Sequence, residues 1–204
     1  MSRRPGFSAR ILGSPISNMR RAVRGHFPPC PTIFFDRDGT LMDEVNYCRR
    51  TQDVRVIFGV AQALADLRER GWLAILITNQ SGIGRGTITI EEYQAVHSEL
   101  LRQIGNQLDG AYFCLDAPPT DSKRRKPEPG MIFEAMADFH IDPTKSWMVG
   151  DKGADIQCGQ AAGLRTVLVR TGYGANYVGP EPDFVAESAV SAIHLILGAT
   201  LDMG

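Results

Sequence analysis

Two carboxylates follow a short apolar run near the start of the sequence, at a spacing that suits catalysis. The run Ile33–Phe35 leads directly into Asp36, and Asp38 and Gly39 follow two and three residues later. One acid could act as a nucleophile or metal ligand while the other transfers protons, provided that both lie close together in different environments. A tight turn in which Asp36 caps the next segment explains the same residues without chemistry. The pair is a candidate catalytic site that needs support from elsewhere in the chain.

A second polar cluster follows the apolar run that ends at Ile77. Thr78, Asn79, Gln80 and Ser81 offer hydroxyl and amide groups, and a glycine-rich stretch comes after them. Hydroxyls, amides and free backbone N–H groups suit the oxygens of a phosphate. An ordinary polar loop has the same composition, so this cluster alone does not decide between binding and structure.

A basic run precedes a predicted helix in the second half of the chain. Residues 123–126 read Lys-Arg-Arg-Lys, and Pro127 and Pro129 follow. Proline disfavours the helical conformation of the residue before it and is tolerated in the first helical turn, so Lys126 should stand in front of the helix. A cation held there could neutralise a phosphoryl group. The alternative is a solvated basic loop.

A third apolar run ends in Gly150, which is followed by Asp151, Lys152 and, one helical turn later, Asp155. Gly150 permits close approach, and Asp151 can complete the oxygen shell of a hard cation such as Mg²⁺. We expect Asp155 to stand at a helix start or behind the ligands rather than to bind the cation directly.

The elements that must position these clusters alternate between short apolar runs and longer helical stretches, which is typical of a parallel sheet covered on both faces. Thr89 and Glu92 predict a capping box at one helix start. Because ligands of an open parallel sheet bind beyond the carboxyl ends of its strands, all four clusters fall where a site is expected. The predicted class is α/β, a Rossmann-like three-layer sandwich. Strands are predicted over 32–36, 72–78, 111–114, 146–150, 166–169 and 183–186, and helices near 60–67, 89–101, 129–139, 154–162 and 190–197.

Length and charge bound the remaining possibilities. The 204 residues, 43% of them hydrophobic, suit one core. Residues 1–28 contain six arginines and no acid, which leaves 16 basic and 23 acidic residues in the remainder. We therefore predict a disordered basic tail over 1–28, with a targeting signal as the alternative, and one domain over 29–204. An acidic body argues against nucleic acid as a partner.

The sequence also carries signals about compartment. No window approaches the ~18 uninterrupted apolar residues of a membrane-spanning helix, so we expect no membrane partner. The four cysteines are scattered without paired spacing, which favours a reducing cytoplasm.

The four clusters, in this order and each after a predicted strand, resemble the four motifs of the haloacid dehalogenase-like phosphatase superfamily. The resemblance implies that Asp36 is the nucleophile and that Asp38 is the general acid and then the general base. It implies that Thr78 and Lys126 hold the transferring phosphoryl oxygens. It also implies an Mg²⁺ ion bound by Asp36, Asp151 and the backbone carbonyl of Asp38. The physics is coherent, because phosphoryl transfer depends on positioning and charge neutralisation.

Finer features resemble the small-cap subfamily that acts on D-glycero-D-manno-heptose 1,7-bisphosphate and histidinol phosphate. The matching segments are 36–40, 46–47, 78–82, 125–127 and 150–152, and segments 148–152 and 169–174 favour the heptose bisphosphate over histidinol phosphate. Both substrates stay open, as does a phosphate-binding module without catalysis. The resemblance and the polar cluster together predict that phosphate and substrate are bound by Glu44, Asn46, Tyr47, Thr78, Asn79, Gln80, Ser81, Arg125, Lys126 and Lys152.

One segment departs from the subfamily, which usually has a zinc-binding loop before its Arg-Lys-Pro motif. Here residues 114–122 hold one cysteine and no histidine. Because a closed zinc site needs four ligands, usually nitrogen or sulfur, we predict no zinc. The chain also leaves no room for a large cap domain. We therefore expect an open site, a small sugar phosphate as substrate, and a monomer.

Overall fold

The computed structural model describes residues 10–12 and 28–201. Within these residues a seven-stranded sheet runs in the order β1-β4-β3-β2-β5-β6-β7. Strands β2 to β7 are parallel, and β1 pairs antiparallel with β4. The strands are β1 (Arg10–Leu12), β2 (Thr32–Phe35), β3 (Leu73–Asn79), β4 (Gly110–Cys114), β5 (Trp147–Gly150), β6 (Arg165–Val169) and β7 (Phe184–Ala186).

Helices cover both faces of the sheet. The α-helices are α1 (Val60–Glu69), α2 (Ser81–Gly84), α3 (Ile90–Gln103), α4 (Gly130–Asp138), α5 (Gly153–Ala161) and α6 (Ala189–Leu201), and short 3₁₀ turns occupy Thr51–Asp53, Pro143–Lys145 and Gly172–Asn176. One apolar cluster joins the sheet to α1, α3 and α6, and a second joins it to α4 and α5. This is the predicted three-layer α/β sandwich.

The central strand β2 shows why the sheet is rigid beneath the site. Ile33 and Phe35 belong to the cluster on one face, and Phe34 belongs to the cluster on the other. Successive strand residues point to opposite faces, and all three side chains are fully buried. Each such side chain contributes roughly 1.5–3 kcal/mol of hydrophobic stabilisation. The strand that delivers Asp36 is therefore anchored from both sides.

Helix α3 begins at the predicted capping box. The Glu92 backbone N–H donates to Thr89 Oγ1 at 3.1 Å, and the Thr89 backbone N–H donates to Glu92 Oε2 at 2.8 Å. These bonds satisfy two groups that a helix start otherwise leaves unpaired.

The predicted strands and helices agree with the observed bounds to within about two residues, apart from the longer α6. Five elements were not predicted: β1, the short helix α2 and the three 3₁₀ turns. Most of the predicted tail over 1–28 lies outside the described residues, although Arg10–Leu12 within it form the strand β1. The tail and the domain boundary at residue 29 stay predictions.

Two further features concern access to the sheet. Between β2 and α1 the chain forms a loop in which Met42 bridges to Asp38 and to Val56. Over the described part of the chain, no helix is long and apolar enough to cross a bilayer.

Candidate active site

The carboxyl ends of the central strands open into a pocket of about 200 Å³. It collects residues that are far apart in the sequence but adjacent at one edge of a parallel sheet. The pocket is lined by Asp36, Arg37, Asp38, Glu44, Asn46, Tyr47, Cys48, Thr78, Asn79, Gln80, Ser81, Gly82, Lys126, Lys152, Ala154, Asp155 and Tyr173.

Asp36 lies directly after β2 and is 4% exposed. Its backbone N–H donates to the Val149 carbonyl at 3.0 Å, which fixes it beside β5. Lys126 Nζ lies 2.9 Å from Asp36 Oδ1. Burial alone would raise the pKa of Asp36, but the charges of Lys126 and Lys152 outweigh burial and hold this pKa below its usual value. The carboxylate therefore stays ionised, as a nucleophile requires.

Lys126 is buried between two acids. Its Nζ lies 2.5 Å from Asp155 Oδ1 and donates to the Ile77 carbonyl at 2.9 Å. Burial would lower the pKa of Lys126, but Asp155 and Asp36 raise it above its usual value. Asn79 holds the backbone of this residue, since Asn79 Nδ2 donates to the Lys126 carbonyl at 2.9 Å and the Lys126 N–H donates to Asn79 Oδ1 at 3.0 Å. A charged ammonium is thus fixed beside Asp36.

Asp151 supplies a buried acceptor to the same place. Its side chain is fully buried, Oδ2 accepts from the Tyr173 N–H at 2.9 Å, and Oδ1 has no hydrogen-bond donor. Burial and the charge of Asp36 raise the pKa of Asp151 to about 7. A Cβ added to Gly39 or Gly172, both at positive φ, would collide with Asp151 Oδ2. Glycines at these positions therefore allow the carboxylate to sit so deeply.

Three carboxylates converge in a way that fits a hard cation. Ligand oxygens of Asp36, Asp151 and Asp155 lie within 4.8 Å of one another, and this is the one such cluster among the described residues. Mg²⁺ prefers carboxylate oxygens. The buried Asp151 Oδ1 accepts no hydrogen bond and has the Lys152 ammonium 3.9 Å away, so it can still accept a cation at closer range. Asp155 already engages Lys126 and accepts from the Lys152 N–H at 2.9 Å, as expected of an acid at a helix start. We call Asp36, Lys126, Asp151 and Asp155 the pocket floor.

The pocket rim, defined as Glu44, Tyr47, Arg85, Lys152 and Tyr173, is more exposed. Lys152 Nζ lies 2.9 Å from Glu44 Oε2 and 4.7 Å from the centre of the Tyr173 ring. Arg85 Nη1 donates to Tyr47 Oη at 2.6 Å, which joins the loop after β2 to the loop after β3. Four of these residues line the pocket, and Arg85 is joined to it through Tyr47.

Comparisons with known proteins show the family of this chain. A HAD-hydrolase-like family model matches residues 123–192. A D-glycero-D-manno-heptose-1,7-bisphosphate 7-phosphatase of Thermosynechococcus vestitus is 36% identical over 188 residues, covering 82% of this chain and 96% of the relative. The D-glycero-beta-D-manno-heptose-1,7-bisphosphate 7-phosphatase of Yersinia pestis is 40% identical over 153 residues, covering 70% and 81%. The chain belongs to this phosphatase family, within the haloacid dehalogenase-like superfamily.

A solved structure supports the same family assignment. The D,D-heptose 1.7-bisphosphate phosphatase from B. bronchiseptica, complexed with magnesium and phosphate, matches with a TM-score of 0.76 and 28% identity. The match covers 83% of this chain and 99% of that protein. The fold class and the superfamily predicted from the sequence are confirmed.

The structure brings most of the predicted site residues of this phosphatase together. Twelve of the thirteen lie in or beside the pocket, Asp151 next to Asp36 and the others along its lining. Arg125 is the exception, because its Nη1 donates to the Asp116 carbonyl at 2.8 Å and it does not line the pocket. Gln80 and Asn79, predicted as phosphate or substrate ligands, also bond other site residues.

Six residues that line the pocket were absent from the predicted set: Arg37, Cys48, Gly82, Ala154, Asp155 and Tyr173. Tyr173 follows the carboxyl end of β6, and a position after a parallel strand could have identified it as a site residue. Arg37 lies between the two acids of the first motif, and its fully buried side chain contacts Asp38. An arginine in a turn is normally exposed, so no pattern in the sequence indicated that contact.

In this phosphatase, segment 114–122 is held by ordinary polar contacts. Cys114 Sγ lies 3.4 Å from Asp116 Oδ2 and 3.8 Å from Ser122 Oγ. Arg124 Nη1 donates to the Phe113 carbonyl at 2.9 Å. These contacts close the segment over the end of β4. The absence of zinc stays a prediction.

Proposed function

We propose that this chain removes the 7-phosphate of D-glycero-D-manno-heptose 1,7-bisphosphate through an aspartyl-phosphate on Asp36. The observation that carries the proposal is the ionised carboxylate of Asp36, buried 2.9 Å from the Lys126 ammonium at the base of an open pocket. The names of the relatives support the heptose bisphosphate as substrate.

The reaction has two steps. A carboxylate oxygen of Asp36 attacks phosphorus, the bond from phosphorus to the sugar oxygen breaks, and Asp38 gives that oxygen a proton. Asp38 then takes a proton from water, the resulting hydroxide attacks phosphorus, and inorganic phosphate leaves as the Asp36 carboxylate is restored. Lys126 neutralises the phosphoryl oxygens, and Thr78 Oγ1 can donate to one of them.

Mg²⁺ is the cofactor that the pocket floor suits. Asp36, Asp151 and the Asp38 carbonyl would hold it, and it would supply positive charge that draws phosphoryl oxygens toward Asp36. Support comes from the carboxylate cluster and from the bronchiseptica relative, which was solved with magnesium and phosphate. Chelation with EDTA should abolish turnover, and Mg²⁺ should restore it.

The proposal also covers the oligomeric state of the enzyme, its zinc content and its compartment. We propose a monomer, since Asp36, Lys126 and Asp151 already meet within a single chain. We propose no zinc, since residues 114–122 hold one cysteine and no histidine. The four cysteines are present as thiols, which supports action in a reducing cytoplasm. Sedimentation and metal analysis of the purified protein would test the first two statements.

The test is phosphate release from a substrate panel, with and without Mg²⁺ and with Asp36→Asn as the blank. The panel contains the heptose bisphosphate, sugar monophosphates, histidinol phosphate and nucleotides. We expect magnesium-dependent release that is fastest on the heptose bisphosphate. A higher kcat/KM on another compound would replace the substrate and keep the chemistry. No release from any compound would overturn the phosphatase proposal and favour a phosphate-binding module.

A further inference from the structure

We propose that Arg37 is a positioning residue that holds the Asp38 carboxylate in place for proton transfer. The inference rests on the proposed function, because it concerns how Asp38 performs its two proton transfers. It adds a role for a buried residue that the predicted site did not include.

The geometry of the contact is that of a two-point clamp. Arg37 Nε donates to Asp38 Oδ2 at 3.1 Å, and Arg37 Nη2 donates to Asp38 Oδ1 at 3.0 Å. Such a fork fixes both the position and the plane of a carboxylate, which a lysine cannot do. Because the two residues are adjacent in the chain, the turn itself places the Asp38 carboxylate beside the Arg37 guanidinium.

Gln80 closes the arrangement from the neighbouring strand end. Its Nε2 donates to Asp38 Oδ2 at 3.1 Å and lies 3.0 Å from Thr78 Oγ1, and its Oε1 accepts from Arg37 Nη2 at 3.2 Å. The amide oxygen of Gln80 must face the guanidinium, and its amide nitrogen must face the carboxylate. The orientation of the Gln80 side chain is therefore fixed. Asp38 thus receives three donors in one closed network that reaches Thr78.

A buried aromatic stack holds the clamp from behind. The Arg37 guanidinium lies 5.4 Å from the centre of the Tyr93 ring, and the Tyr93 and His97 rings stack at 5.9 Å. All three side chains are 1% exposed. Arg37 Nη1 has no hydrogen-bond acceptor, so the guanidinium is not fully compensated for its lost hydration. Because a buried ion pair often stabilises a protein less than apolar residues would, stability alone does not explain an arginine here.

Leaving groups provide the test, because only a poor leaving group needs a proton from Asp38. We compare kcat/KM on the heptose bisphosphate, whose alkoxide must be protonated, with kcat/KM on p-nitrophenyl phosphate, whose phenolate leaves without a proton. For Arg37→Lys we expect kcat/KM on the sugar phosphate to fall about 10- to 100-fold and on the aryl phosphate to fall less than about threefold. The wild-type enzyme is the reference for both.

The same variant should also slow the second step, in which Asp38 is the base. We expect p-nitrophenyl phosphate to give a burst of about one p-nitrophenolate per enzyme, since the aspartyl-phosphate then accumulates. In an Asp38→Asn background Arg37→Lys should have no further effect, because a residue acting through Asp38 loses its target. Arg50→Lys is the matched control: this arginine also pairs with an aspartate, Asp53, but is exposed and outside the pocket.

An equal fall in kcat/KM on both substrates, with the melting temperature retained, or no fall on either, would overturn the role of Arg37. If Arg37→Lys does not fold, Gln80→Asn decides, because it withdraws both the third donor to Asp38 and the acceptor that holds Arg37 Nη2, and should show the same selectivity between leaving groups. A wild-type enzyme that is inactive on every phosphomonoester would refute the proposed function, a result distinct from either outcome above.

Discussion

The pocket floor and the pocket rim differ in burial and in the way that their charges are compensated. On the floor, Asp36, Lys126, Asp151 and Asp155 are each at most 4% exposed, and every charge has an opposite charge or an implied cation beside it. On the rim, Tyr47 is 39% exposed and Lys152 keeps 36% of its side chain in contact with solvent. Buried charges interact strongly because water does not screen them, whereas exposed pairs contribute little.

This difference separates two functions of the site. In the proposed reaction, the floor supplies what any phosphomonoester requires: a nucleophile, a fixed ammonium and a place for a cation. The rim would then contact the rest of the substrate, where sugars and amino alcohols differ. Changes on the floor should therefore affect all substrates together, whereas changes on the rim should affect substrates selectively.

Replacement of Asp36 by asparagine should have the largest effect. The neutral amide cannot attack phosphorus, so we expect kcat to fall at least about a thousandfold on every substrate of the panel. Phosphate release measures the loss, and the melting temperature confirms that the protein folds. Retained activity on any one substrate would show that the floor does not serve all substrates.

Replacement of Lys126 by methionine should strongly reduce stability. The change leaves Asp36 and Asp155 buried without their shared cation, and breaking a buried pair in this way costs about 3–5 kcal/mol of unfolding free energy. Urea unfolding measures the change. The matched control is Arg102→Met, which removes an exposed pair with Glu99 and should leave the urea midpoint almost unchanged. Equal effects of the two substitutions would contradict the contrast between buried and exposed charges.

His97, which stacks on Tyr93 behind Arg37, should make stability depend on pH. Burial and the nearby charge of Arg37 lower the pKa of His97 to about 4, so the folded state binds its proton less readily than the unfolded state. The stability that neutral His97 contributes is fully present above about pH 6.5. It is lost as the pH falls toward 4, which lowers the free energy of unfolding by up to about 3 kcal/mol. His97→Phe keeps an aromatic ring beside Tyr93 and should remove that loss. Urea unfolding at pH 7 and 4.5 tests this, and an unchanged pH dependence in the variant would contradict it.

Replacement of Glu44 by glutamine should have the smallest effect. It weakens the partly exposed pair with Lys152, so we expect KM for the heptose bisphosphate to change about two- to fivefold. The kcat on this substrate and the KM for p-nitrophenyl phosphate should stay within about twofold, because the floor is intact. If the aryl phosphate responds as strongly as the sugar, the division between floor and rim is wrong.

The sequence predicted the fold and the floor because both depend on local patterns. Apolar runs gave the strands, and a parallel sheet requires that polar residues after those runs meet at one edge. Asp36, Thr78, Lys126 and Asp151 could therefore be grouped from their positions after predicted strands and before a predicted helix. Strand β1 was missed because three residues in an arginine-rich segment carry no alternation that a pattern could detect.

The contacts between site residues could not be predicted in the same way. Asn79 bonds the backbone of Lys126, and Arg125 turns toward Asp116 rather than into the pocket. Which neighbour a polar side chain selects depends on loop conformations that the sequence pattern does not specify. The contact of Arg37 with Asp38 could not be predicted either, since it depends on an aromatic stack from α3.

The central claim is a covalent intermediate on Asp36, and it can be tested directly. Enzyme is mixed with Mg²⁺ and the heptose bisphosphate, quenched in acid during turnover, reduced with borohydride and digested for peptide mass spectrometry. An aspartyl-phosphate is reduced to homoserine, whereas a free carboxylate is not. We predict homoserine at position 36 and an unchanged Asp38. Homoserine at position 38, or active enzyme in which neither position is ever modified, would contradict the account.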